Sequence, residues 1–185
     1  MSLPAESHDA VVAATRHWLT HAVIGLNLCP FAKAVHVKGQ IRYAVSDAVN
    51  IEAVLTDLEA ELQTLFASDP DAVDTTLLIL PRALGDFLEY NDCLFFAERM
   101  LKQLRLEGSI QIASFHPHYQ FEGSEPDDIE NYTNRSPYPM LQLLRESSVE
   151  HAAAAQDVDA IPESNMETLR RLGLDGWRRL WPDND

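Results

Sequence analysis

The hydrophobic positions of the chain switch period several times, and each switch marks an element. Over residues 8–24, Val11, Ala14, Trp18 and Ala22 recur at spacings of three or four, which predicts an amphipathic helix ended by Gly25 and the Asn27–Pro30 stretch. Residues 40–46 alternate instead, apolar at 41, 43 and 45, and read as a strand between Gly39 and Asp47. Residues 48–67 return to the helical period, with Ile51, Val54, Leu55, Leu58, Leu62, Leu65 and Phe66 expected on one face. Thr75–Leu80 is a short, nearly all-apolar run stopped by Pro81, the pattern of a strand buried on both faces. A helix over 87–105 follows, opened by Asp86 with Glu89 three residues on, in capping-box spacing, and closed by Gly108. Ile110–Phe115 is a third strand running into His116-Pro117-His118.

Strand, helix, strand, helix, strand, with connections too long for hairpins, predicts right-handed parallel crossovers. The expected fold class is therefore α/β, a small, mainly parallel sheet of at least three strands with packed helices. Residues 119–136 carry no period and are rich in turn formers. Ser136-Pro137 has the form of an N-cap followed by proline at the first helical position, so a helix is expected from there through Leu141 and Leu144 to about Val158. A last helix over about 162–172 stops at Gly173, and Trp177 and Trp181 are expected to pack back on the body. One domain spanning 1–185, with a C-terminal helical segment, accounts for the length.

Composition narrows the class of function. The chain carries 29 acidic against 14 basic residues, a formal charge of −15, which argues against nucleic-acid or anionic-membrane partners. The N-terminal segment has no basic region followed by an unbroken apolar core, and no apolar run reaches 18 residues. Two cysteines, Cys29 and Cys93, are too few for a disulfide framework. These features favour a cytoplasmic protein. The glycines form neither GxGxxG nor GxxxxGK, so no dinucleotide or P-loop cofactor is expected.

Three strings carry candidate chemistry. Asn27-Leu-Cys29-Pro-Phe31 places a thiol between a helix end and a proline, near Lys33, Lys38 and Arg42. It is a candidate nucleophile or ligand if a cation or helix terminus lowers its pKa, and otherwise a small buried side chain. Cys93, between apolar neighbours, belongs to the core. His116 lies just beyond the carboxyl end of a strand, where sites form in parallel sheets, and is the candidate acid/base. His118, two residues on, points the same way in extended backbone, so a metal shared by His116 and His118 is conceivable, with Cys29 able to supply a third ligand; with neither HExxH nor CxxC in the chain the signal is weak and no metal is assigned. Asn131–Pro139 is dense in directional donors at the expected helix start and reads equally as a seat for a carboxylate or phosphate made by Arg135, Asn134, Asn131 and Ser136, with Arg42, or as a loop held by Asx turns and a capped helix start. The intervening acidic run, Glu122 to Glu130, reads as a solvated surface loop, with a lid role conceivable.

The strings Gly25–Ala32, Ile112–Pro117 and Asn131–Met140 together resemble a bacterial family known as domain of unknown function 1415, over roughly residues 8–172. The resemblance implies a single-domain bacterial protein and no particular catalytic residues. The reading from the residues is a small-molecule enzyme acting on an anionic substrate, a hydrolase or transferase using Cys29 and His116. The alternative is a non-catalytic binding or adaptor domain using an acidic face. Charge distribution bears on the choice. Residues 43–98 hold 12 acids and one base, whereas 10–46, 108–121 and 131–145 hold no acid and all three strings. If these windows meet, they are expected to form a locally positive site.

Overall fold

The structure is a computed structural model that describes residues 6–154 and 160–181. The first helix, α1 (His8–Trp18), is capped by Ser7, whose hydroxyl accepts from the Ala10 amide. It continues through a π-helical turn (Leu19–Ile24), and after residues 25–29 comes α2 (Pro30–Val37). β1 (Ile41–Val45), α3 (Ile51–Ala67), β2 (Thr75–Ile79), α4 (Phe87–Gln103) and β3 (Ile110–Phe115) follow in the expected order. Asn50 and Asp86 cap α3 and α4 by accepting first-turn amides.

The next element departs from expectation. Met140–Arg145 is a strand, β4, rather than part of a helix begun at Ser136. Ser136 caps nothing; its hydroxyl donates to the Tyr138 carbonyl. The helix α5 (Glu146–Ala154) starts only where β4 ends, and residues 155–158 of the expected helix lie outside the described residues. Leucine, methionine and glutamine are good helix formers, and a strand buried on both faces has no alternation to betray it. α6 (Ile161–Arg178) breaks its helical path at Gly173 (φ 67°), where the sequence places a stop.

β4 also corrects the sheet. The strand order is β1-β2-β4-β3: β1 and β2 pair in parallel, while β4 inserts antiparallel between β2 and β3. The sheet is mixed, not mainly parallel. β1, β2 and β3 still run in one direction, as the crossovers demand, but β2 and β3 are not neighbours.

The sheet separates two apolar layers. On one face α3 and α4 cover Leu78, Leu141, Leu143 and Ile110. On the other, α1, its π-helical extension, α2 and α6 cover Leu77, Ile79 and Met140, with Trp177 packed edge-to-face on Tyr132 and Trp181. No helix of the described residues is long and apolar enough to cross a membrane.

Candidate functional site

Cys29 is placed by the π-helical turn. The Gly25 amide bonds the Thr20 carbonyl five residues back, and a Cβ at Gly25 would lie 2.3 Å from the His21 carbonyl oxygen, so only glycine passes here. Asn27 then takes φ 54°, the left-handed region that asparagine tolerates. The chain returns over the sheet with Cys29 as N-cap of α2 and Pro30 at its first position. Burial pushes the thiol pKa up, and the nearby backbone N–H groups of Ala32 and Phe31, which favour a thiolate, do not offset it; the sulfur makes no cap hydrogen bond to α2.

Beside the thiol is a chamber of about 140 Å³. Trp18, Val23, Leu77 and Phe115 make its apolar walls, and Thr133, Asn134, Gln142 and Asn165 supply polar groups. Two amides are fixed: Asn134 Nδ2 donates to the Ser114 carbonyl (3.0 Å) and Asn165 Nδ2 to the Leu28 carbonyl (2.9 Å). One hydrogen of each amide is spent in this way, and each carboxamide keeps its oxygen as an acceptor and its second N–H as a donor. Gln142 reaches the chamber from the middle of β4, where its Nε2 donates to Thr75 Oγ1.

The chamber adjoins a wider cleft of about 680 Å³ between residues 121–134 and the start of α6. Thr133, Asn134 and Asn165 line both spaces. Among the described residues the outer cleft carries Glu122, Asp128 and Glu130 against one cation, Arg170, which is ion-paired to Glu130. The backbone amide of Glu130 itself, and then the Arg170 pairing, hold that carboxylate below its usual range. The acidic run is thus one wall of the cleft.

The sequence-derived candidates separate. Cys29 and Asn134 share the chamber. His116 does not line it. Successive residues of a strand face opposite sides; Phe115 packs on Trp18 in the chamber layer, and His116 turns to the other layer against Phe87 and Tyr90. There it is fully buried, with Nε2 donating to the Leu84 carbonyl (2.9 Å) and Nδ1 accepting the His118 amide (2.9 Å). Both ring nitrogens are committed, and the neutral Nε2–H tautomer satisfies them. His118 is exposed. Among the described residues no three His, Cys, Asp or Glu side chains gather as metal ligands.

The arginines are committed as well. Arg135 donates to the carbonyls of Tyr119 (3.2 Å) and Pro126 (2.6 Å) and lies over the Tyr132 ring, holding the segment in place. Arg42 makes a two-pronged pair with Glu61 of α3. Asn131, fully buried, accepts from the Phe121 amide and the Ser124 hydroxyl and donates to the Glu125 carbonyl, so it folds the acidic wall. With Ser136 in a turn, the expected helix-start anion seat is absent. Cys93 is buried in the core and its thiol is pushed up to about 11.

The three acid-free windows do meet, since Trp18 and Cys29, Phe115, and Asn134 and Gln142 all line the chamber. None of their cations lines it, so the site is neutral rather than positive. Gln142 and Asn165 were missed by sequence reasoning; the available signal was a lone polar residue inside the apolar run Met140-Leu-Gln-Leu-Leu144.

Burial lowers the His116 pKa, outweighing the Leu84 carbonyl that favours the charged ring. The unfolded value is near 6.5, so below that pH the unfolded chain binds more protons than the native protein. The contribution of His116 is then complete above about pH 6.5 and is lost as pH falls through its lowered folded value. Urea unfolding of the wild type and of His116→Gln is expected to show their stability difference shrinking between about pH 7 and pH 5. Parallel pH profiles would contradict it.

Comparison with known proteins gives one match: a family model described as "Protein of unknown function (DUF1415)" covers residues 10–179 of the 185. No curated protein and no solved structure matches the chain.

Proposed function

We propose, on the premise that the chain belongs to the DUF1415 family of proteins of unknown function, that it is a small-molecule enzyme whose reacting group is the Cys29 thiol. The substrate enters between residues 121–134 and α6 and presents an uncharged polar group to the chamber. The observation that carries this is the sharing of Thr133, Asn134 and Asn165 between the open cleft and the chamber beside Cys29. A large mouth narrowing to a sulfur ringed by fixed amides has the form of a small-molecule site. A hydrolase or transferase step starting with attack by sulfur suits it, with the Phe31 and Ala32 amides stabilising the thiolate that forms.

Two features move the substrate away from a simple anion. Among the described residues the mouth carries three carboxylates and one paired arginine, and the chamber carries no cation. Among the described residues no histidine lines either space, so in this reading the thiol proton passes to the substrate or to water. The alternative of a non-catalytic binding domain draws support from the protonated state that burial imposes on the thiol.

Iodoacetamide labelling followed by intact-mass and peptide analysis tests the site. Because only the thiolate attacks, labelling of Cys29 in the native protein is expected to be slow at pH 7. It should rise about tenfold per pH unit toward the raised pKa, with the buried Cys93 unlabelled. A neutral amide or ester that protects Cys29, with slow turnover lost in Cys29→Ser, would support catalysis. A Cys29 whose labelling in the native protein does not rise between about pH 7 and pH 9.5 would remove the thiol from the function, because the thiolate fraction climbs over that span even with a raised pKa.

A further inference from the structure

α4 is apolar on two sides, and only one of them is used. Tyr90, Cys93, Ala97 and Leu101 form the inner seam and are buried against the sheet. On the opposite side Leu88 is 74% exposed, Phe95 61% and Phe96 44%. A surface helix ordinarily presents charged and polar groups outward, and apolar residues on both sides mark a helix covered on both. Leu88, Asp92, Phe95, Arg99 and Lys102 recur at spacings of four and three, so they form one continuous outward stripe of about four turns.

The charges on this stripe identify the partner. We propose that the outer stripe of α4 is a self-association surface that pairs antiparallel with α4 of a second copy of the chain. An interface with two-fold symmetry must complement itself: if one residue meets another, the reverse contact also exists. Crossing the two helices antiparallel between Phe95 and Phe96 brings Asp92 of each copy opposite Arg99 of the other. That makes two equivalent ion pairs around a core of four phenylalanine rings. Phe95 and Phe96 already stand edge-to-face at 5.6 Å, with Arg99 over the Phe95 ring at 5.8 Å. Leu88 then falls beside Lys102 and Gln103, whose aliphatic stems cover it. A parallel arrangement would set Asp92 against Asp92 and Arg99 against Arg99, so the charge order selects the antiparallel one. This face lies across the sheet from the Cys29 chamber, and the inference does not depend on the proposed function.

Sedimentation velocity over about 5–200 µM, the range of weak helix-pair association, tests the surface. The full chain is expected to shift from monomer to dimer. Phe95→Ser is expected to abolish the shift, and D92R to weaken the dimer at least about tenfold, since each dimer then carries two Arg–Arg contacts. The double variant D92R/R99D is expected to recover it. All three substituted positions, 92, 95 and 99, are exposed, so the variants are expected to keep the native circular dichroism spectrum. A chain that stays monomeric throughout would overturn the proposal. So would a dimer indifferent to Phe95→Ser, or a double variant no better than D92R.

Discussion

Replacing Arg145 by methionine is expected to cost about 3–5 kcal/mol, the range for breaking a buried charged network by removing one partner. The side chain lies at the end of β4, 11% exposed, and reaches across to where α3 ends. Its Nη2 is 2.6 Å from the Leu65 carbonyl oxygen, 2.8 Å from that of Ser68 and 3.1 Å from that of Val73, and Nε is 3.9 Å from Asp74. The last turn of a helix leaves carbonyls without intrahelical partners, and here a guanidinium from another strand serves them. Methionine keeps most of the volume and removes every guanidinium donor from three carbonyls, and it leaves the Asp74 carboxylate with the Ser148 hydroxyl but without its cation. Lysine offers a point charge in place of a planar fork and is expected to recover only part. Urea unfolding checks both. A loss under about 1 kcal/mol for Arg145→Met would mean that water replaces the network at no cost.

Tyr90→Phe removes one oxygen and is expected to cost about 2–4 kcal/mol, because two backbone groups lose their partner together. Tyr90 is fully buried in α4, and its hydroxyl donates to the Met140 carbonyl (2.8 Å) while accepting from the Phe115 amide (3.0 Å). Phe115 and Met140 face each other in the β3–β4 register. The hydroxyl therefore completes the last rung of that ladder and ties it to α4. Burial keeps this phenol protonated through the working pH range, so the bond carries no pH dependence of its own. Calorimetry is expected to show a lower Tm, and hydrogen exchange a loss of protection at the Phe115 amide. A Phe115 amide that exchanges as slowly as in the wild type would contradict this assignment.

Legibility in the sequence followed how local each feature is. α1, α3 and α4 each bury one stripe and begin at Ser7, Asn50 or Asp86, so period and cap agree within a few residues. β2 showed as an unbroken apolar run because both its faces are covered. β4 is covered in the same way, but its leucines and Gln142 also satisfy a helical spacing, and Ser136-Pro137 imitates a helix start. Only its partners β2 and β3, distant in sequence, decide the matter. The site divides along the same line. Cys29 and Asn134 were visible as reactive or directional side chains. Their meeting depends on the π-helical turn and on β4. One residue of strand parity sends His116 to the opposite layer, and the donors of Arg135 are spent on backbone carbonyls no local pattern reveals.

The bond from Asn165 to the Leu28 carbonyl spans 137 residues, and this sets an order of events on the ribosome. Synthesis delivers the thiol early, whereas the strand that closes the sheet beside it and the helix that roofs it emerge near the end. Contacts so distant along the chain are slow to form, because the long loop must close before any contact repays it. Until then β2 and β3 each present an unpaired edge to other nascent chains. The chamber is therefore among the last parts of the molecule to exist, and a chain stopped before α6 carries Cys29 without the pocket that holds its thiol in check.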